Sequence, residues 1–176
     1  MKFPISDKLL TLREEGKRLR EKLEAELAAA KPGDVVEISF SKVQALTGSA
    51  TDEFLGKLLT ARSAGDIPDV AFVLTGLNDD TAFEVNLCLT QRKAAAVWNS
   101  GTHAELLGGD EFLKTTFEHA ARHGEFIATE LAEELSVTPT NLNNRLKRLV
   151  SDGALIRQRD MKANGKQFIY RVPQPA

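Results

Sequence analysis

Cysteine, tryptophan and tyrosine each occur once in the 176 residues. One thiol excludes an intramolecular disulfide framework and fits a reducing compartment. That thiol, Cys88, sits in the apolar run Val85-Asn86-Leu87-Cys88-Leu89, which marks it as a buried, inert group. No apolar run approaches the roughly 20 residues of a membrane span. The N-terminus also lacks the basic-then-apolar order of a signal peptide, so the expected location is cytoplasmic, with no membrane partner. Phosphate-binding glycine loops are missing: Gly101, Gly108 and Gly109 fall in neither GxxxxGK[ST] nor GxGxxG. No GxSxG elbow is present, and Ser49 has no recognisable histidine base motif. His119 and His123 are four residues apart, which puts two imidazoles on one helical face. No HExxH pattern surrounds them, and the further ligands His103 and Cys88 are distant. The acidic residues read as helix caps and solvated faces. These absences point away from enzymatic activity, a cofactor or a metal.

What is present is a globular composition, 42% apolar and 27% charged, with a formal net charge of −2. The sum conceals an asymmetry. From Thr138 onward there are eight basic and two acidic residues, a net of +6, which leaves −8 for the preceding chain. An acidic body with one basic end suits a protein that touches nucleic acid at that end alone.

The basic end is organised by residues 136–153, SVTPTNLNNRLKRLVSDG. Thr138 is a good N-cap, Pro139 occupies the first helical position and Gly153 offers a stop. Leu142, Leu146, Leu149 and Val150 share one helical face. The other face carries Thr140, Asn141, Asn144, Arg145, Lys147 and Arg148, with no acid until Asp152. Amides and guanidinium groups pair with base edges, and Lys and Arg neutralise phosphates. An ordinary solvated basic face is the competing reading of this helix taken alone. Its neighbours add weight: 128–135 reads as a short amphipathic helix, and Ser136-Val137 makes a tight turn between the two. Residues 154–159 and 167–172 then read as two strands around DMKANGK, in which Asn164-Gly165 is a strong hairpin signal. Helix, turn, helix and basic hairpin resemble the winged helix of bacterial regulators over roughly the last third of the chain.

The preceding residues alternate. A helix is expected over 6–30, with Leu9, Leu12, Gly16, Leu19, Leu23 and Leu27 on one face, either packed on its own domain or dimerising. Strands are expected over 34–40, 70–74, 94–98 and 104–107. Helices are expected after Ser49, with Phe54, Leu55, Leu58 and Leu59 inward, and from Asn78 or Asp79 to Lys93, with Phe83, Val85, Leu87 and Leu89 inward. A further helix is expected over 110–123. Alternating strands and helices imply an α/β layer with some parallel pairing. The domain boundary is expected at Gly108-Gly109, dividing residues 1–109 from 110–176.

Residues 10–109 carry a second resemblance. The strand at 34–40 followed by V-x-x-L-T-G-S-A-x-D-E-F-x-G-K-L, from Val43 to Leu58, is similar to the STAS-like relatives of anti-sigma-factor antagonists. In that family a strand leads into a helix bearing a regulatory serine, typically in Asp-Ser-Ser-Gly; here the place reads Thr47-Gly48-Ser49-Ala50. By position Ser49 matches the serine that a partner kinase phosphorylates. Read from the residues alone, Ser49 with Asp52 resembles a capping box, and the favoured reading is that its hydroxyl caps the helix, worth about 1 kcal/mol.

Together these readings lead to one expectation. A STAS-like α/β domain controls a winged helix that binds double-stranded DNA, with Thr140, Asn141, Asn144 and Arg145 in the major groove. Lys147, Arg148, Arg157, Arg159, Lys162 and Lys166 would contact phosphates or the minor groove. A homodimer on a two-fold site is expected, because one winged helix offers a small interface. The alternatives are a protein–protein switch of the antagonist type, with a regulatory protein or kinase as partner, and a small-molecule sensor.

Overall fold

The computed structural model describes residues 1–162 and 165–175. A five-stranded sheet forms its middle, in the order β1 (Lys2–Pro4), β3 (Val35–Ser39), β5 (Ala71–Thr75), β6 (Ala95–Asn99) and β7 (Ala104–Gly108). The first four strands run parallel, and β7 returns antiparallel to β6 through a short turn. The inner strands read as near-continuous apolar runs because both sheet faces are covered. Phe72, Leu74, Ala96 and Leu107 point to one face, where they join Leu19, Leu23 and Leu27 of α1 (Arg13–Leu27). Val85 and Leu89 of α4 (Asp79–Gln91) complete that layer. Val73, Ala95, Val97 and Leu106 point to the opposite face.

That second face is covered by the C-terminal residues. Leu113, Phe117 and Ala120 of α5 (Glu111–Ala120) lie on it, and the same apolar cluster continues into Leu131 of α6 (Ala128–Glu134) and Leu142, Leu146 and Leu149 of α7 (Pro139–Ser151). Gly108 and Gly109, both at positive φ, turn the chain from β7 into α5. A Cβ on Gly108 would approach the Ala94 carbonyl oxygen to 2.2 Å, so glycine is required there. A small antiparallel sheet completes this end: β8 (Phe126–Ile127) and β9 (Ile156–Arg159) flank β10 (Phe168–Arg171). Gly165, at φ +109°, lies between β9 and β10; Asn164, the other half of the expected turn signal, lies outside the described residues.

Three sequence expectations need correction. The helix expected from Ser6 starts at Arg13, where Glu15 accepts the backbone N–H groups of Thr11 and Leu12, both at 2.8 Å. Ahead of it, Phe3 and Leu10 are buried in β1 and in β2 (Leu9–Leu10), which pairs parallel with β4 (Ala45–Leu46). Tertiary pairing has overridden the leucine spacing there, and Leu9 and Leu12 are exposed. On α4, Val85 and Leu89 are buried as expected, but Phe83 and Leu87 are 63% and 43% exposed, and Ala82 and Cys88 take the inward places. Finally, Ser49 is not a cap. The N-cap of α2 (Gly48–Thr51) is Thr47, whose hydroxyl accepts from Ala50 N at 3.4 Å, and Ser49 is exposed on the first turn with its Oγ 3.2 Å from Thr47 Oγ1.

α2 runs without a break through a π-helical turn (Asp52–Gly56) into α3 (Lys57–Ala64), one helix over 48–64. The π turn leaves the Glu53 carbonyl free for Arg20 Nε at 3.0 Å, while the buried Glu53 carboxylate takes Arg13 at 2.8 Å and Lys57 at 2.6 Å. Gly16 lets α1 approach this helix, since a Cβ there would meet the Ala50 oxygen at 2.2 Å.

Candidate nucleic-acid interface

α7 is held at both ends by local chemistry. Thr138 accepts from Asn141 N at 3.3 Å and Pro139 opens the helix. At the other end Gly153 N and Ala154 N return to the carbonyls of Val150 and Leu149, at 3.0 and 2.8 Å, with Gly153 at φ +75°. This is a Schellman stop. α6 ends the same way, with Ser136 N on the Glu133 carbonyl and Val137 N on that of Ala132. There the left-handed residue is Ser136, at φ +52°.

With Leu142, Leu146 and Leu149 fully buried, α7 turns outward a stripe of Thr140, Asn144, Lys147 and Ser151, at steps of four, three and four. On one flank this stripe borders a groove of about 740 Å³ against the hairpin and the start of α6. Asn143, Asn144, Lys147 and Ser151 form one wall, and Arg157, Lys166 and Gln167 the other. Phe168 and Tyr170 floor it, and the Arg157 guanidinium lies 4.5 Å over the Phe168 ring. Burial raises the Tyr170 hydroxyl above its ordinary pKa, so it stays a neutral donor. Asp160 ties the hairpin end: its backbone N–H donates to the Gln167 carbonyl, and its carboxylate accepts from Lys162 N at 2.9 Å.

Of the ten residues expected at this surface, the groove brings together Asn144, Lys147, Arg157 and Lys166. Thr140 and Asn141 are exposed at the start of α7, and Arg159 and Lys162 are exposed on the hairpin outside the groove. Arg145 and Arg148 turn the other way, towards α5. Arg145 donates to Thr116 Oγ1 at 3.2 Å, and its guanidinium lies 5.0 Å over the exposed Phe112 ring. Arg148 pairs with Asp110 at 2.7 Å. Asp110 is also the N-cap of α5; the bond from Leu113 N, then Arg148, hold its carboxyl below the ordinary range. Sequence reasoning missed Asn143, Ser151, Gln167 and Thr129. Asn143 carries the same amide as Asn144, so the signal was present in the composition of the helix, but its place beside the hairpin depends on tertiary contacts.

The remaining candidates are accounted for by local partners. His119 Nδ1 and His123 Nε2 both donate to the Glu134 carboxylate, at 2.5 and 2.7 Å, and these bonds hold Glu134 below its ordinary pKa. Among the described residues, no group of three or more His, Cys, Asp or Glu side chains is placed to hold a metal ion. Burial pushes the Cys88 thiol up to about 11, which suppresses the thiolate. No helix among the described residues is long and apolar enough to cross a membrane.

Comparisons with known proteins were equally sparing. No protein-family model, curated protein or solved structure matches this chain. The chemistry of the surface therefore carries the functional argument.

Where the α/β layer meets α7, Arg62 of α3 is the central contact. It is 8% exposed, and burial lowers its pKa against the opposing pull of Asp69 and Asp152. Its Nε donates to the Val70 carbonyl at 2.5 Å, one Nη to the Ser151 carbonyl, and the other to Asp69 and to the Val150 carbonyl at 3.4 Å. Asp152, which follows α7, is pushed up to about 6 by burial.

Proposed function

We propose that this chain is a DNA-binding transcriptional regulator. Residues 110–176 act as a winged helix-turn-helix unit, and residues 1–109 act as a STAS-like layer that receives a partner or signal. One observation carries the reading: α7 is closed behind by three buried leucines and presents Thr140, Asn144 and Lys147 outward, next to a hairpin bearing Arg157 and Lys166. Seated in a major groove, Asn144, with Asn143 and Thr140, reads base edges by paired hydrogen bonds. Lys147, Arg157 and Lys166 neutralise phosphates on either side of the groove. Arg148 joins them by exchanging Asp110 for a phosphate, and Arg145 stays stacked on Phe112 as a scaffold.

Six of the ten residues read from the sequence, joined by Asn143, are therefore the expected direct contacts. The test is the salt dependence of DNA binding. The double substitution Lys147→Ala/Lys166→Ala removes two phosphate contacts and lowers the slope of log K against log salt by about 2. An unchanged slope overturns the assignment.

A second reading, a protein–protein switch, draws on the exposed Phe83 and Leu87 of α4, an apolar pair on the layer's surface. Binding that is insensitive to salt and lost in Phe83→Ser would favour it.

A further inference from the structure

We propose that Arg62 is a positioning residue for α7, and that the helix over 48–64 transmits changes in the α/β layer to the DNA-reading surface through it. This inference rests on the DNA-binding reading. The last carbonyls of a helix have no partner within it. Here a buried guanidinium from another element takes the Ser151 carbonyl and adds a longer bond, 3.4 Å, to the Val150 carbonyl that Gly153 N also reaches. Its positive charge also sits at the negative end of the α7 dipole. Val150 and Ser151 line the groove, so Arg62 grips the backbone of two groove residues without reaching the groove surface. Gly153 fits the same contact: a Cβ there would lie 3.0 Å from Arg62 Nε.

The other end of this lever is the π turn two turns before Arg62. A π turn holds one residue more than the α-helix needs. Relaxing it to regular helix would rotate everything downstream by about 100° and shift it by about 1.5 Å. Arg62 would then leave Val150 and Ser151. On this proposal the regular helix is the second arrangement of the turn, since coupling between sites requires an element with two. Charged clamps select the arrangement seen. Arg92 grips Asp52 with Nε at 2.5 Å and Nη2 at 3.1 Å, and Glu53 is shared by Arg13 and Lys57. Arg92 also occupies the space beside Gly56, where a Cβ would come within 2.5 Å of its Nε. Asp52 and Glu53 are held below their ordinary pKa, Asp52 chiefly by its bond to Arg92 and Glu53 chiefly by its bond to Lys57. Both clamps therefore stay charged at neutral pH.

The experiment is amide hydrogen exchange on the full chain, paired with DNA affinity at physiological salt. In Arg62→Met, the amides of Asp152, Gly153 and Ala154 should exchange at least tenfold faster, while those of Ala96 and Val97 in the sheet keep the wild-type rate. DNA affinity should fall at least fivefold with an unchanged salt slope, because Arg62 touches no phosphate. Arg62→Lys, which keeps the charge without the fork, should fall between the two. Arg92→Met acts at the π turn and should raise exchange at the same three amides at least threefold. It also keeps the proposal testable where Arg62→Met fails to fold. Wild-type exchange at 152–154 in Arg92→Met, or an effect of Arg62→Met spread evenly over the sheet, overturns the proposal. If the wild-type chain binds no DNA, the function proposed above fails, and the exchange measurements still decide the role of Arg62.

Discussion

Asn144 and Lys147 are one turn apart on α7, yet their loss should have different signatures. Asn144→Ala removes a base-edge contact and should cost about 1–3 kcal/mol on the preferred sequence, with little change on random DNA. Lys147→Ala should weaken all sequences alike. Competition binding against a random duplex separates the two. Asp110 adds a restraint of opposite sign, since it caps α5 and neutralises Arg148 at the same time. Asparagine caps as well as aspartate but carries no charge. Asp110→Asn should therefore keep the cap but lower the melting temperature by about 1–4 °C, the loss of a surface ion pair of about 0.5–1 kcal/mol, and tighten non-specific DNA binding by roughly two- to fivefold. Weaker binding in this variant would contradict the role given to Arg148.

Asp152 gives a pH signature. Its carboxyl ionises near 3.8 in the unfolded chain and at about 6 in the folded one. The folded state thus binds the extra proton between these values, and stability falls as pH rises from about 4 to 6. Above pH 6 the full penalty of a half-buried charge at a helix C-terminus remains. Asp152→Asn should stabilise the protein at pH 8 by about 1–2 kcal/mol, allowing for partial solvent screening, and the gain should vanish near pH 4. Thermal unfolding at the two pH values measures this, and equal gains at both would refute it.

At the scale of elements, the joint between α6 and α7 holds a residue that geometry disfavours. Ser136 occupies a left-handed position that glycine fills at the equivalent joint after α7, Gly153. Ser136→Gly should raise stability by about 0.5–1 kcal/mol without altering DNA affinity. A loss of stability would mean that the Ser136 side chain makes a contact outweighing the strain.

The sequence was most legible where local and tertiary preferences agree. α7 has its cap, its proline, its leucine spacing and its glycine stop in one stretch, and each is found in place. The four strands expected over 34–107 also form within a residue or two of their expected ends. Legibility failed where tertiary pairing competes with spacing. Leu9 and Leu12 continue the periodicity of α1, but parallel pairing of β1 with β3 and of β2 with β4 claims the chain before Arg13. Thr47 and Ser49 are both hydroxyls before a helix, and only the path of the backbone decides that Thr47 is the cap. Phe83 and Leu87 lie close to the inward arc of α4, and the helix is rotated so that Ala82 and Cys88 fill that arc. At the candidate interface, residue types were visible and directions were not. Nothing in the order of residues 138–151 says that Arg145 and Arg148 turn to α5 while Asn143 turns to the hairpin.

Across the whole molecule, one sheet serves two layers. One face packs against α1, the helix over 48–64 and α4, while the other seats α5 and the apolar cluster that closes α7. The C-terminal helices are thus fixed to the sheet by a shared core and by Arg62. This arrangement suits a regulator in which a change in the layer alters the reading surface directly. The charge distribution supports it, with +6 from Thr138 onward and −8 before it, because the acidic body discourages DNA from binding elsewhere.

The most direct test of DNA reading is selection of genomic fragments by the purified chain at low and at physiological salt. Discrete sites should be enriched, the enrichment should survive physiological salt, and Asn144→Ala should abolish it. Binding that is uniform over fragments and vanishes as salt rises would contradict it, reducing the basic end to non-specific charge.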